Sequence, residues 1–157
     1  MATGKSSVGR KLALSLKRRF VDLDELIELK EKMLISDIFA KKGEPYFRKA
    51  EKQILERVSK EKKFIVACGG GIVIDPGNIK IMKKTGLVIC LSARPETILK
   101  RISGTTQRPL LNVNDPKAQI ELLLKMRAPY YGQADKIIDT SKLSIEQVAG
   151  KIIKIIL

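Results

Sequence analysis

Histidine is absent from this 157-residue chain, which removes histidine triads, histidine metal sites and histidine acid–base chemistry together. Tryptophan is absent as well, and aromatics make up 4% of residues, too few for the stacking platforms that hold single-stranded nucleic acid. Cysteine is limited to Cys68 and Cys90, each inside an apolar run, and both read as small buried hydrophobes in a reducing cytoplasm. Acidic residues are outnumbered, 17 Asp and Glu against 31 Lys and Arg, for a net charge of +14. The basic residues are spread along the chain rather than clustered, and there is no zinc-finger spacing or RNP-like run. Nucleic acid is therefore not the expected partner, whereas a small anionic substrate would be drawn to such a field. No apolar run approaches the ~20 residues of a membrane span, and residues 1–10 lack the apolar stretch of a signal peptide. A membrane is not expected either, and the expected location is the cytoplasm.

The length suits one domain over residues 1–157, large enough to bury roughly 70% of the surface of its unfolded chain. Short apolar runs at 20–23, 64–68, 87–91 and 136–139 read as strands, three of them nearly continuous in Val and Ile as in a sheet buried on both faces. Helical periods lie between them at 5–16, 43–58, 79–84, 95–102 and 116–127. A last helix opens at Ser144 with Gln147 three residues on, a capping box, and runs to Leu157. This alternation argues for a parallel α/β sheet. One long polar stretch, 103–114, has the length and composition of a functional loop or lid.

Ala2-Thr3-Gly4-Lys5-Ser6-Ser7 is the latter part of a phosphate-binding loop, G-x-x-x-x-G-K-[ST], followed at once by a helix. A glycine turn aims backbone N–H groups at phosphate oxygens, and the helix N-terminus adds positive potential. Gly-Lys-Ser before a helix also fits an ordinary serine cap. Asp22 and Asp24 stand at the C-terminal end of a strand, sharing a face where open α/β sheets bind ligands; Asp22 with Glu25 equally mimics a capping box. Arg48 and Glu51, at i and i+3 beside an apolar stripe, fit either a carboxylate-binding fork or a surface ion pair. Gly69-Gly70-Gly71 after a buried strand allows close backbone approach to a ligand, or a flexible turn. Arg108 lies in the candidate lid, and Arg127 ends a helix, where a basic residue is an ordinary dipole partner.

Taken in order, Met-x-x-Gly-Lys-Ser, Phe-x-Asp-x-Asp, Gly-Glu-x-x-Phe-Arg-x-x-Glu, Gly-Gly-Gly, Arg-Pro-Leu-Leu and Arg-x-Pro-x-Tyr resemble the shikimate kinase family over the whole chain. The resemblance implies a three-layer P-loop kinase fold, with a parallel sheet in family order 2-3-1-4-5 and helices on both faces. It implies ATP-dependent phosphorylation of shikimate to shikimate 3-phosphate, in aromatic amino-acid biosynthesis, by a monomer. Other small P-loop kinases, for gluconate or nucleoside monophosphates, and a nucleotide-binding relic without turnover are the alternatives. By the same resemblance Ala2 to Ser7, with Arg101 and Arg108, would bind ATP, and the 140–143 loop would lie near the adenine. Ser6, and Asp22 through water, would hold Mg²⁺. Asp24 would bind the shikimate hydroxyls and orient or deprotonate the attacking one. Arg48 and Arg127 would clamp the carboxylate, helped by Gly69, Gly70 and Gly71, with Glu51 holding an arginine and Phe39 and Phe47 walling the ring. Lys5, Asp24 and Arg108 would carry the chemistry. The substrate-binding helices are expected at about 24–60 and the lid at about 103–114.

One part of the pattern is missing. The first glycine of the phosphate loop, and the strand that feeds it, would fall before Met1. The expectation is that the natural protein extends N-terminally by an apolar strand ending in Gly-x.

Overall fold

Gly4 starts the first helix because it takes φ 87°, the left-handed region that costs other residues their Cβ clearance. In a computed structural model, which describes residues 2–103 and 113–157, the chain then runs α1 (Lys5–Leu16), β1 (Arg19–Asp22), α2 (Leu23–Glu31), α3 (Ile35–Lys42), α4 (Glu44–Val58) and β2 (Phe64–Ala67). A 3₁₀ turn (Ile72–Ile74) follows, then α5 (Pro76–Thr85), β3 (Ile89–Ser92), α6 (Pro95–Ile102), α7 (Pro116–Tyr131), β4 (Lys136–Asp139) and α8 (Ile145–Ile156). The helix starts are written in the sequence. Asp75 and Asp115 cap α5 and α7 by accepting from the Gly77 and Ala118 amides, each with proline next in the chain. Ser144 and Gln147 form the expected capping box on α8.

The four strands form two parallel pairs. β1 pairs with β2 from Arg19↔Phe64 to Asp22↔Ala67, and β3 with β4 from Ile89↔Lys136 to Ser92↔Asp139. These are the two flanks of the expected order. No ladder joins β2 to β3 among the described residues; a slot of about 1180 Å³ separates them. The slot shows in the burial of the strands. Only Ala67 is buried in β2, and every residue of β3 is only half-buried, although helices cover both faces.

Three apolar clusters hold the layers. Leu23, Ile27, Ile38, Phe47, Ile54 and Leu55 join α2, α3 and α4 on one side. Val8 and Leu12 of α1 meet Val148 and Ile152 of α8 over Ile138 of β4. Ile98 of α6 packs on Ile120 of α7 beside Ala93.

Several boundaries differ from the sequence reading. Helices α2 and α3 fall within the helical region expected at about 24–60, but their separate bounds were not read: Leu23 and Ile27 are four residues apart on one buried stripe, and with only nine residues in α2 the period is barely repeated. β1 stops at Asp22, so Asp24 belongs to the first turn of α2 and not to a strand face shared with Asp22. α7 runs on to Tyr131 through Pro129, which gives up the bond that an N–H there would make to the carbonyl four residues back. Arg127 therefore lies inside the helix rather than at its end.

α1 approaches β1 so closely that a Cβ on Gly9 would lie 2.5 Å from the Phe20 ring. On an open helix face Gly→Ala stabilises by about 1 kcal/mol. Here we expect Gly9→Ala to destabilise by roughly 1–3 kcal/mol through overpacking, with Phe20→Leu restoring part of the loss in the double variant. Urea denaturation of the two variants and their combination measures this; a gain in stability from Gly9→Ala would show that the contact is not tight.

Candidate active site

The N-terminus of α1 has no side-chain cap and no acidic residue of its own in the first turn, an arrangement in which the first amides and the dipole suit an anion. The preceding residues are tied to the far side of the sheet. Arg101 donates to the Ala2 carbonyl at 3.1 Å and to Thr140 at Oγ1 (3.1 Å) and at its carbonyl (3.0 Å). Thr140, buried at the end of β4, in turn donates to the Thr3 and Ser92 carbonyls, at 3.3 and 3.0 Å. Arg101, Thr140 and Ala2-Thr3 thus converge. The Arg101 fork is engaged by protein carbonyls and the Thr140 hydroxyl in this arrangement.

A two-bond chain leads from the phosphate loop across to the other half of the site. Ser6 Oγ donates to Asp22 Oδ2 at 2.5 Å, and Asp22 Oδ1 accepts from the Asp24 amide at 3.0 Å. Asp22 is therefore both the N-cap of α2 and the partner of the Ser6 hydroxyl. The two sequence readings of Asp22, cap and functional carboxylate, describe its two oxygens. Mg²⁺ takes hard oxygen donors, usually one or two from protein, with waters and phosphates completing the shell. A hydroxyl and a carboxylate 2.5 Å apart beside a helix N-terminus fit that demand. Among the described residues no group of three or more Asp, Glu, Cys or His could form an all-protein metal cage.

Beyond Asp24 lies a cluster of charge. Arg48 donates to Glu51 Oε2 at 2.7 Å and to Glu44 Oε1 at 3.0 Å, and its guanidinium stands over the Phe47 ring at 5.1 Å. Phe39 of α3 meets Phe47 with ring centroids 4.9 Å apart. Glu51 has no exposed surface and Arg127 only 6%, so the surface-ion-pair reading of Arg48 and Glu51 fails. One end of the pair is in the interior, and Oε1 of Glu51 has no hydrogen-bond partner. The glycines after β2 are what let these groups approach the backbone. A Cβ on Gly69 would lie 3.0 Å from Glu51 Oε1 and 3.2 Å from Asp24 Oδ1, and a Cβ on Gly71 would collide with the Arg48 guanidinium. Gly70 is held by its carbonyl, which accepts from the Tyr131 hydroxyl at 2.9 Å.

Of the residues singled out in the sequence, Lys5, Ser6, Asp22, Asp24, Phe39, Phe47, Arg48, Glu51, Gly69 to Gly71 and Arg127 border one region. Arg108 falls outside the described residues, as does most of the 103–114 stretch. Two contributors were missed. Tyr131 sits one helical turn after Arg127 and is the Tyr of the Arg-x-Pro-x-Tyr run, but it was given no role. Asn78 is buried and donates to the Ile72 carbonyl at 3.0 Å, fixing the 3₁₀ turn behind the glycines; nothing local in the sequence marks it. Cys68 borders the same region, but burial pushes its thiol up to about 12, so it stays protonated and inert.

Comparison with known proteins agrees. The family model described as shikimate kinase matches residues 1–157. The chain belongs to the shikimate kinase family. A shikimate kinase of Thermoanaerobacter pseudethanolicus is 47% identical over 154 residues, covering 98% of this chain and 90% of the relative. One from Thermodesulfovibrio yellowstonii is 46% identical over 98% of this chain and 89% of its own length. Among solved structures, shikimate kinase from Acinetobacter baumannii in complex with shikimate superposes with a TM-score of 0.96 at 37% identity, covering 99% of this chain and 88% of that one. The P-loop kinase fold follows from these.

The buried carboxyl has a measurable consequence. Burial pushes Glu51 up to about 7 from 4.5, against the pull of Arg48; Asp24 raises it further and Arg127 lowers it. Between those values the folded protein binds more protons at this site than the unfolded chain does. Its contribution to stability is therefore greatest at low pH and falls as pH rises from about 4.5 to about 7. The whole drop is on the order of 3 kcal/mol. Glu51→Gln should abolish this decline while keeping its own pH-independent offset from the loss of the ion pair. Urea midpoints from pH 4.5 to 8 for the two proteins would show it; parallel profiles would mean that Glu51 is ionised throughout.

Proposed function

We propose that the protein transfers the γ-phosphoryl group of ATP to a hydroxyl of shikimate, giving shikimate 3-phosphate and ADP, in the biosynthesis of aromatic amino acids. The observation that carries this reading is the Ser6–Asp22–Asp24 chain. It couples the phosphate loop to a carboxylate that stands near the buried Glu51, which half-buried Arg48 and buried Arg127 face. Family membership supports it, as does the likeness to a structure described as a complex with shikimate.

In this reading the α1 N-terminus and Lys5 bind the ATP phosphates, with Ala2, Thr3, Gly4 and Ser7 shaping the loop. Arg48 and Arg127 bind the shikimate carboxylate, where a planar fork gives direction as well as charge. Glu51 holds Arg48 in place and Gly69 to Gly71 keep the floor of the site clear. Asp24 orients the attacking hydroxyl and accepts its proton as the bond to the γ-phosphorus forms and the bond to the β-bridging oxygen breaks. Ser6, and Asp22 through water, would hold Mg²⁺, which would neutralise phosphate charge. Arg108, a residue assigned on sequence grounds alone, adds positive charge at the transferring group. The rate gain comes from positioning and charge stabilisation, with no covalent intermediate. No described helix is long and apolar enough to cross a membrane; a monomer acting in the cytoplasm completes the reading.

A coupled ADP-release assay with shikimate and Mg²⁺-ATP tests the assignment; preferred turnover of gluconate or of a nucleoside monophosphate would overturn it. Variants then separate the roles. Arg48→Ala and Arg127→Ala should weaken shikimate binding by on the order of 2–5 kcal/mol, since each removes a partner of a buried carboxylate. Asp24→Asn should lower kcat with little change in shikimate affinity. An unchanged kcat for Asp24→Asn would remove the proton-accepting or orienting role.

A further inference from the structure

The tyrosine of the Arg-x-Pro-x-Tyr run has no task in the proposed function, yet it makes a connection that spans the site. Tyr131 Oη donates to the Gly70 carbonyl at 2.9 Å, joining the last turn of α7 to the glycine segment after β2, 61 residues away in the chain. The ring is half-buried. Burial raises its phenol above the ordinary tyrosine range, although the Arg127 charge beside it pulls the other way. The hydroxyl therefore keeps its proton, and remains a donor, at neutral pH.

This bond differs from those around it. The Gly69 carbonyl accepts from the Ile72 amide at 3.2 Å, and the Gly71 carbonyl from the Ile74 amide at 3.1 Å. Both are local and belong to the 3₁₀ turn, which Asn78 braces through the Ile72 carbonyl. The Gly70 carbonyl is instead taken by a side chain from another element. Glycine is the least restricted residue in φ and ψ and has no side chain to pack. The middle peptide of three glycines therefore turns easily unless something outside the segment holds it. No described peptide bond is cis, and in a trans peptide the C=O and the N–H point in opposite directions. Holding the Gly70 carbonyl thus also fixes the direction of the Gly71 N–H. Gly71 is the residue whose Cβ would collide with the Arg48 guanidinium. At its other end the bond starts from the residue four places after Arg127, on the same face of α7.

We propose that Tyr131 is a positioning residue for the acceptor substrate: its hydroxyl, acting through the Gly70 carbonyl, holds the Gly70–Gly71 peptide at a set place relative to Arg127. This deepens the shikimate reading and rests on it for the identity of the acceptor. Two arginines and a backbone amide can serve one carboxylate together only if their relative directions are held before it arrives. ATP is met by the phosphate loop, whereas the Tyr131 bond goes to the glycine segment. The effect of Tyr131 therefore falls on affinity for the acceptor, and neither on ATP nor on the chemical step.

Tyr131→Phe keeps the ring and removes the donor. Tyr130→Phe, one position earlier, removes a tyrosine hydroxyl that takes no part in this contact. In the coupled assay Tyr131→Phe should raise KM for shikimate roughly 5- to 20-fold, with kcat and KM for ATP within about twofold of the parent. Tyr130→Phe should match the parent throughout. An unchanged shikimate KM in Tyr131→Phe, or a loss that falls equally on ATP, would overturn the proposal. Exchange of the Gly70 and Gly71 amides, read without any ligand, does not depend on which acceptor is used. It should quicken about tenfold in Tyr131→Phe and stay unchanged in Tyr130→Phe; equal exchange in parent and variants would likewise overturn the proposal. If the parent turns over no shikimate, the assigned activity fails, and the exchange measurement alone decides whether Tyr131 holds the segment.

Discussion

The site is organised by a carboxyl that has been taken wholly out of water. Glu51 has no exposed surface, and one of its oxygens has no hydrogen-bond partner. Such a group is tolerable only if a cation lies against it or if it keeps its proton. Both compensations operate: Arg48 touches Oε2, and burial raises the carboxyl to about 7. Removing either partner leaves the other exposed to the full cost of desolvation. Arg48 is thereby fixed in direction, and so is the rim of α4 that carries Phe47. The aromatic pair of Phe39 and Phe47 then anchors α3 to the same rim. Under the proposed function, a substrate carboxylate arriving at Arg48 would compete with Glu51 for positive charge, and substrate binding would be linked to the protonation of Glu51.

The glycines follow from the same constraint. Gly69 and Gly71 have side-chain atoms of Glu51, Asp24 and Arg48 where a Cβ would be. Their role is clearance for charged groups at the sheet edge rather than unusual backbone angles. Gly4 differs: its φ of 87° is the reason glycine is needed just before the lysine of the phosphate loop. Three glycines in a row after a buried strand were legible as a close approach, but which groups approach them was not. That depends on α4, which lies far away in sequence.

What could be read in advance was whatever is local and periodic. The α1 and α6 helices, β4 and the α8 capping box stood in the sequence with the bounds the structure gives them, because each is set by a cap or an apolar period within one segment. The separate bounds of α2 and α3, inside the helical region expected at about 24–60, escaped because nine and eight residues give the period barely two turns to repeat. Arg127 looked like a helix end because Pro129 follows it, and became a buried interior residue because α7 tolerates that proline in its last turn. Burial itself was the least legible property. Arg48, Glu51 and Arg127 have the composition of a solvated face, and it is tertiary packing that takes Glu51 and Arg127 into the interior and leaves Arg48 half-buried.

Asp22 shows why a structural reading and a functional one need not compete. One of its oxygens accepts the Asp24 amide and so starts α2; the other accepts the Ser6 hydroxyl of the phosphate loop. An asparagine could retain the cap, since its side-chain oxygen accepts as well as a carboxylate does. It would supply neither the charge nor the second acceptor that faces Ser6. The cap fixes where Asp24 stands, and the second oxygen fixes how far Asp24 stands from the phosphate loop. A phosphoryl transfer that depends on placing a hydroxyl in line with a phosphorus needs both distances held at once. A carboxylate at the junction of β1 and α2, bonded in both directions, ties the Ser6 hydroxyl and the Asp24 amide together through one side chain.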